Sequence, residues 1–125
     1  MSVRDDVLAF ALTLPGAWLD HPWDEDVVKV GKKIVVFGGV PDRDPQVVGM
    51  KLAESHEAAL AAPGVTPTTY GLGKAGWVTV ELGGAHPPLD VLCDWAEESY
   101  RQVATKKLVA ELDARGQAPG RQAGE

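Results

Sequence analysis

Two runs of β-branched residues, separated by a short glycine turn, constrain the fold more than any other stretch. The first run covers residues 26–30 and the second covers residues 33–39. Between them stands Gly31-Lys32, a two-residue connection of the Gly-X kind that suits a tight hairpin. The second run contains Ile34-Val35-Val36-Phe37, which is so apolar that both of its faces can be covered. Because tight turns join antiparallel strands, this stretch predicts a mostly antiparallel sheet.

Residues 74–82 show the alternation of a strand that is buried on one side. The alternation places Trp77, Thr79 and Glu81 on one face, and it places Val78, Val80 and Leu82 on the other. The apolar set predicts a face toward the core. The Trp77 face, with Lys74 just upstream, is half polar and is therefore a candidate contact surface.

Helical patterns flank and interrupt the strands. Residues 2–14 begin with Ser2 as N-cap, residues 54–62 form a short alanine-rich helix, and residues 87–114 form a long helix with a break near residues 105–107. Residues 46–52 are predicted to form a third strand. Residues 17–26 are predicted to be an extended edge or a loop, and residues 65–73 to be an irregular loop. These elements predict a two-layer α+β domain with the helices packed on one face of the sheet.

The chain of 125 residues fits one domain, which we assign to residues 1–114. Residues 115–125 are rich in Gly, Gln and Arg and are predicted to be a disordered tail.

No apolar run is long enough to cross a membrane, and the acidic N-terminus does not resemble a signal peptide. A single cysteine, Cys93, excludes an internal disulfide and fits a reducing cytoplasm. We therefore expect a cytoplasmic protein with no membrane partner.

The net charge of −6 hides an uneven distribution along the chain. Residues 1–26 carry one basic and six acidic side chains, which gives −5. Residues 27–80 carry six basic and four acidic side chains, which gives +2. Five lysines of this region are candidate contacts for nucleic-acid phosphates. They are Lys29, Lys32, Lys33, Lys51 and Lys74. The alternative is that these lysines line a solvated sheet edge and oppose aggregation.

Trp77 has two interpretations that the sequence leaves open. Its ring is a candidate platform for stacking a base or another ligand, with Tyr70 and Trp23 as partners. Alternatively, the ring packs into the interface between the helices and the sheet.

The remaining reactive side chains do not form a catalytic pattern. His21 lies among Asp20, Asp24, Glu25 and Asp26, but the spacing is not that of a metal site, so we expect a solvated acidic loop. Cys93 lies on an apolar helix stripe and should be a buried, inert thiol. His56 and His86 should be exposed. We expect no enzyme activity, no metal ion and no cofactor.

Several short motifs, in this order, resemble the MmcQ/YjbR family, whose fold is grouped with CyaY-like proteins. The resemblance covers residues 10–108. The motifs are Leu14-Pro15-Gly16, Asp20-His21-Pro22-Trp23, the segment 27–33, Pro63-Gly64-Val65-Thr66-Pro67, the segment 74–80 and Ser99-Tyr100. The chain departs from the family pattern at His21-Pro22-Trp23, where Tyr-Pro-Phe is usual. It also has Gly73 and Val78 where the family often has Asn.

The resemblance implies a "double wing" DNA-binding motif, in which β-hairpins stand as wings beside the helices. Our first hypothesis is therefore a non-enzymatic DNA-binding protein that contacts phosphates through Lys29, Lys32, Lys33, Lys51 and Lys74, with Trp77 near the contact surface. The alternative is a small module that binds a protein or a metabolite and does not bind DNA. In either case we expect a monomer.

Overall fold

The computed structural model describes residues 2–69 and 75–116, apart from the side chain of Trp23. The described residues contain four α-helices, namely α1 (Val3–Leu12), α2 (His56–Leu60), α3 (Leu89–Val103) and α4 (Lys106–Gly116), and a 3₁₀ helix at Pro22–Asp24. The strands are β1 (Ala17–Asp20), β2 (Asp26–Val30), β3 (Lys33–Gly39), β4 (Val47–Lys51), β5 (Val65–Pro67) and β6 (Trp77–Glu81). Helix α4 reaches Gly116, and the rest of the predicted tail, residues 117–125, lies outside the described residues.

The six strands form one antiparallel sheet in the order β1-β2-β3-β4-β6-β5. The predicted hairpin joins β2 to β3, and Gly31 has the positive φ of +60° that a Gly-X turn requires. The predicted α+β class with an antiparallel sheet is confirmed. One prediction was wrong, because residues 65–67 are an edge strand rather than a loop. Buried Val65 pairs with Val80 and so fixes β5 to the sheet.

Helices α1 and α3 cover one face of the sheet, which we call the helix face. Its fully buried side chains include Val28, Val36, Met50, Val78 and Val80. They pack with Val7, Leu92 and Tyr100 of the helices. Strand alternation places the intervening residues on the opposite side of the sheet, which we call the open face. The alternation predicted for residues 78–82 is thus confirmed, since the valines face the core.

A β-bulge explains the continuous apolar run in β3. Lys29 pairs with Ile34, whereas the neighbouring Val28 pairs with Val36, so Val35 is an extra residue in the strand. Val35 and Val36 are both buried in the core, while Ile34 and Phe37 are half-buried. Apolar side chains of this strand therefore lie on both faces of the sheet, as predicted. The bulge is what allows the adjacent Val35 and Val36 to pack in the same core.

The helix termini follow their local signals. The Ser2 hydroxyl accepts a hydrogen bond from the Asp5 N–H at 3.1 Å, so the predicted N-cap of α1 is confirmed. Extended backbone at Ala104 separates α3 from α4, near the predicted break. Helix α2 begins where the Glu98 carboxylate accepts hydrogen bonds from the N–H groups of Ala53 and Ser55. Among the described residues, no helix combines the length and apolar character needed to cross a membrane.

Candidate nucleic-acid interface

The sheet register gathers three of the predicted lysines at one end. Lys32 and Lys33 are exposed at the tip of the β2–β3 hairpin. Strand β4 runs antiparallel to β3, with Val36 opposite Met50, so the last residue of β4, Lys51, ends beside the start of β3. Lys51 lies on the open face, whereas Lys33 pairs with Val30 and projects toward the helix side. Lys74 lies outside the described residues.

Helix α4 adds two lysines that were not among the predicted contact residues. Lys106 and Lys107 are exposed at its start, and the next residue, Leu108, packs against Gly16 just before β1. Because Ala17 pairs with Val30 beside the hairpin tip, this helix start lies at the same end of the sheet. The Lys-Lys pair was visible in the sequence, but nothing local indicated its position. We call Lys32, Lys33, Lys51, Lys106 and Lys107 the basic end.

Lys29 differs from these lysines because it is paired with an acidic side chain. Its Nζ lies 2.7 Å from the Asp20 carboxylate and 5.6 Å from the centre of the Trp18 ring. The hydrogen bond from Lys29 is the main reason that the pKa of the Asp20 carboxyl is lowered. A phosphate that approached Lys29 would have to compete with Asp20.

The acidic residues of the first quarter lie at the opposite end of the sheet. Asp24 and Glu25 precede β2, and the connection from β3 to β4 carries Asp42 and Asp44. Strand β2 separates Asp26 from the hairpin tip by about 13 Å, at roughly 3.3 Å per residue. The acidic residues of the first quarter are thus separated along the sheet from the basic end, although Glu54 and Glu98 lie close to Lys51.

His21 and Asp26 form part of an ion-pair network that involves a buried arginine. The two oxygens of Asp26 contact His21 Nδ1 at 2.7 Å and the Arg4 guanidinium at 2.5 Å. Arg4 also donates to the carbonyls of Gly38 and Gly39, and its side chain is only 4% exposed. Burial opposes the charge on Asp26, but the hydrogen bonds from Arg4 and His21 outweigh it and lower the pKa of this carboxyl.

This network gives the acidic loop a structural role. Within residues 2–69 and 75–116, no cluster of three or more His, Cys, Asp or Glu side chains is positioned to hold a metal ion. His21 and Asp26 instead link the loop before β2 to helix α1 through Arg4.

The structure places the Trp77 side chain on the open face. Trp77 pairs with Lys51, and its neighbour Val78 points into the core. The Trp77 ring lies 5.9 Å from the Phe37 ring at an interplanar angle of 32°. Trp77 therefore does not fill the interface between helices and sheet. The proposed stacking partner Tyr70 lies outside the described residues, and so does the side chain of Trp23.

Phe37 rests on a glycine in the neighbouring strand. A Cβ at Gly49 would lie only 1.9 Å from the Phe37 ring, so a side chain at Gly49 and the ring cannot share this space. The ring lies in a groove of about 870 Å³ on the open face. Val27, Ile34 and Val47 supply apolar lining, and Glu25, Lys29 and Arg43 supply charged groups. Hydroxyl groups come from Thr66, Thr68, Thr69 and Thr79. The groove is as large as many ligand sites.

Three side chains with reactive groups are half-buried rather than fully buried or exposed. Cys93 was expected in the core, but it lies at the core margin, where burial and the nearby Asp94 raise the pKa of its thiol. His56 and His86 were expected to be exposed. Each is instead half-buried, and His86 Nδ1 lies 2.6 Å from the Pro87 carbonyl oxygen.

Two of the sequence motifs meet in the core. The hydroxyl of Tyr100 donates a hydrogen bond of 2.6 Å to the carbonyl of Pro15, joining Leu14-Pro15-Gly16 to Ser99-Tyr100. A protein-family model described as YjbR matches residues 12–102, which include both motifs and all six strands of the sheet. A comparison with curated proteins finds no match.

Proposed function

The chain belongs to the YjbR family, and from this premise we propose that it is a non-enzymatic, cytoplasmic DNA-binding protein whose basic end contacts the phosphate backbone. One observation supports this proposal most. The fold collects Lys32, Lys33 and Lys51 with two lysines of α4 at one end, although the chain as a whole is acidic. The cytoplasmic location rests on the single cysteine, and the non-enzymatic role rests on a sequence without a catalytic motif.

Charge separation makes this proposal compatible with a net charge of −6. At an ionic strength of 0.1 M the Debye length is about 10 Å. The acidic loop lies about 13 Å or more from the hairpin tip, which is the length of β2 at about 3.3 Å per residue. Repulsion from the acidic end is therefore largely screened at the basic end.

The lysines would act as phosphate contacts and would not read the base sequence. Neutralising each phosphate releases condensed counterions and makes binding depend on salt, with a slope of about −0.9 in log K per contact for duplex DNA. Exposed lysines on a hairpin tip suit this role because their ammonium groups are point charges on flexible stems.

Fluorescence anisotropy with a labelled duplex at about 50 and 200 mM salt tests the proposal. We expect affinity to fall steeply with salt, and the Lys32→Ala/Lys33→Ala double variant to bind more weakly with a slope reduced by about 1.8. A Lys32→Arg/Lys33→Arg variant keeps the charge and should bind like the wild type. Absence of binding at about 10⁻⁴ M protein in low salt would contradict the proposal, because non-specific binders reach that range.

The groove on the open face favours a second candidate function. An apolar floor with threonine hydroxyls is also typical of modules that bind a protein segment or a metabolite. Under this alternative the chain binds no DNA at any salt concentration, and the lysines only protect the sheet from aggregation. The same anisotropy titration separates the two functions.

A further inference from the structure

The open face carries an aromatic pair that packing in the core does not explain. Trp77 and Phe37 lie on the side of the sheet opposite α1 and α3, and both are half-buried rather than covered. Their rings are tilted with 5.9 Å between ring centres, and neither side chain is fully buried. Gly49 provides the space in which the Phe37 ring lies against the sheet.

A cation and several hydroxyl groups surround this pair. Lys51 is the direct cross-strand neighbour of Trp77 on the same face, which places their Cβ atoms about 5 Å apart. On the other side of β6, the hydroxyl of Thr68 lies 2.9 Å from that of Thr79 at the wall of the groove. A ligand seated on the rings would thus meet a positive charge and hydroxyl groups within one side-chain length.

We propose that the open face binds single-stranded nucleic acid, with unpaired bases stacking on Trp77 and Phe37. The phosphate next to a stacked base would meet Lys51, so the inference rests on the proposed function for its backbone contacts. Bases in a single strand can expose their π-faces to aromatic side chains, whereas those inside a duplex are stacked on each other. Charge complementarity also favours this ligand, since Lys51 continues the basic end onto the open face.

The acidic side chains near the groove limit where the strand can lie. Glu25 lines the groove, and Glu81 lies on the open face at the same acidic end of the sheet. Lys29 is already paired with Asp20. The strand should therefore cross the sheet near Lys51, Trp77 and Phe37 and avoid the opposite end. Threonine hydroxyls can donate to or accept from any base, so they confer little sequence preference.

The test compares single-stranded oligonucleotides of about 10 nucleotides, a length within the range of sites on OB folds that bind single strands. Oligo-dT and oligo-U are titrated beside a duplex, with the wild type and the Trp77→Leu variant. We expect Trp77→Leu to weaken single-strand binding about five- to hundredfold and to weaken duplex binding much less, because lysines supply the proposed duplex contacts. The DNA and RNA arms show which sugar is preferred.

Conservative variants locate the contact even if Trp77→Leu folds poorly. Oligo-dT should quench the tryptophan emission of the wild type, and the Trp77→Phe variant should lose that quenching. Trp18→Phe is the matched control, because Trp18 also lies exposed on the sheet but four strand spacings away, about 19 Å. It should retain the quenching.

The outcomes distinguish this inference from the proposed function. Duplex binding with no single-strand binding, or quenching that persists in Trp77→Phe, overturns the inference and leaves the proposed function standing. Absence of binding to either form overturns both. Single-strand binding that depends on Trp77, together with duplex binding that depends on Lys32 and Lys33, supports both.

Discussion

The hydroxyl of Ser99 accepts a hydrogen bond of 3.0 Å from the backbone N–H of Lys51 and fixes α3 to the sheet. The same hydroxyl donates to the carbonyl of Val35 at 2.6 Å. These two backbone groups lie at the bulge, where β3 and β4 no longer pair with each other. A buried serine thus completes the sheet at the position that carries a proposed phosphate contact.

Replacing this serine should destabilise the fold. Ser99→Ala leaves the Val35 carbonyl and the Lys51 N–H without their partner in a buried place, at a cost of about 1–3 kcal/mol for each group. We expect a total loss of about 3 kcal/mol, measured by urea denaturation. Gln102→Ala is the control, because it removes an exposed bond to the carbonyl of the same Lys51 and should cost less than about 1 kcal/mol. Equal losses in the two variants would refute the role of Ser99.

Tyr100 should contribute to stability through its hydroxyl as well as its ring. The ring is fully buried, and the hydroxyl donates to the Pro15 carbonyl. Tyr100→Phe keeps the ring and should cost about 1–2 kcal/mol, since only the hydrogen bond is lost. Thermal and urea unfolding measure the loss, and a variant as stable as the wild type would show that the bond contributes nothing.

The same residue should weaken the fold at alkaline pH. Burial, aided by Glu111, raises the pKa of the Tyr100 hydroxyl above its ordinary value of 10.0. The unfolded chain therefore loses this proton at a lower pH than the folded chain. Its stabilising effect is complete below pH 10 and declines as pH rises toward the folded pKa. Urea titrations from pH 9 to 11 should show a steeper decline for the wild type than for Tyr100→Phe.

Arg4 should be essential to the packing of α1. Its guanidinium is buried and bonded to Asp26 and to the carbonyls of Gly38 and Gly39. Arg4→Met leaves these groups unsatisfied, and we expect a loss of about 3 kcal/mol in urea denaturation. Arg101→Met is a control, since Arg101 makes comparable ion pairs at the surface and should cost at most about 1 kcal/mol. A larger loss for Arg101→Met would contradict this assignment.

Asp26 should make the fold sensitive to acid. Despite the opposing effect of burial, the bonds from Arg4 and His21 hold its pKa below 3.8. Its contribution to stability is therefore present above about pH 4 and is lost as pH falls through the folded pKa. Unfolding monitored between pH 5 and 2 should show a smaller pH dependence for Asp26→Asn than for the wild type. An unchanged dependence would show that other carboxylates dominate.

Gly49 should tolerate no side chain. Because a Cβ would overlap the Phe37 ring, Gly49→Ala must displace that ring and should cost about 1–3 kcal/mol. Tryptophan emission should also change, since Phe37 contacts Trp77. Gly84→Ala is the control, because nothing lies within 4 Å of a Cβ at that position. If both variants match the wild type in stability and emission, the ring does not depend on this space.

Much of the architecture could be predicted because its signals are local. The Gly31-Lys32 turn, the alternation from Trp77 onward and the Ser2 cap each depend on residues within a few positions. Strand β5 was missed since Val65–Pro67 is too short to show alternation, and it becomes a strand only by pairing with β6. The burial of Arg4 could not be predicted from the sequence, because the partners that bond its guanidinium lie 22 to 35 residues away.

The sequence by itself determined that Trp77 and Thr79 share one face of a strand and that Lys32 and Lys33 stand at a hairpin tip. Only the tertiary structure decided that the helices leave the Trp77 face uncovered and that Lys51 and the α4 lysines lie at the same end as the hairpin lysines. It alone also decided that Lys29 forms an ion pair with Asp20. The physical reason is the separation along the chain of the residues that interact. Strand alternation and turns follow from neighbouring residues, whereas the register between strands and the face that helices cover follow from packing between distant segments.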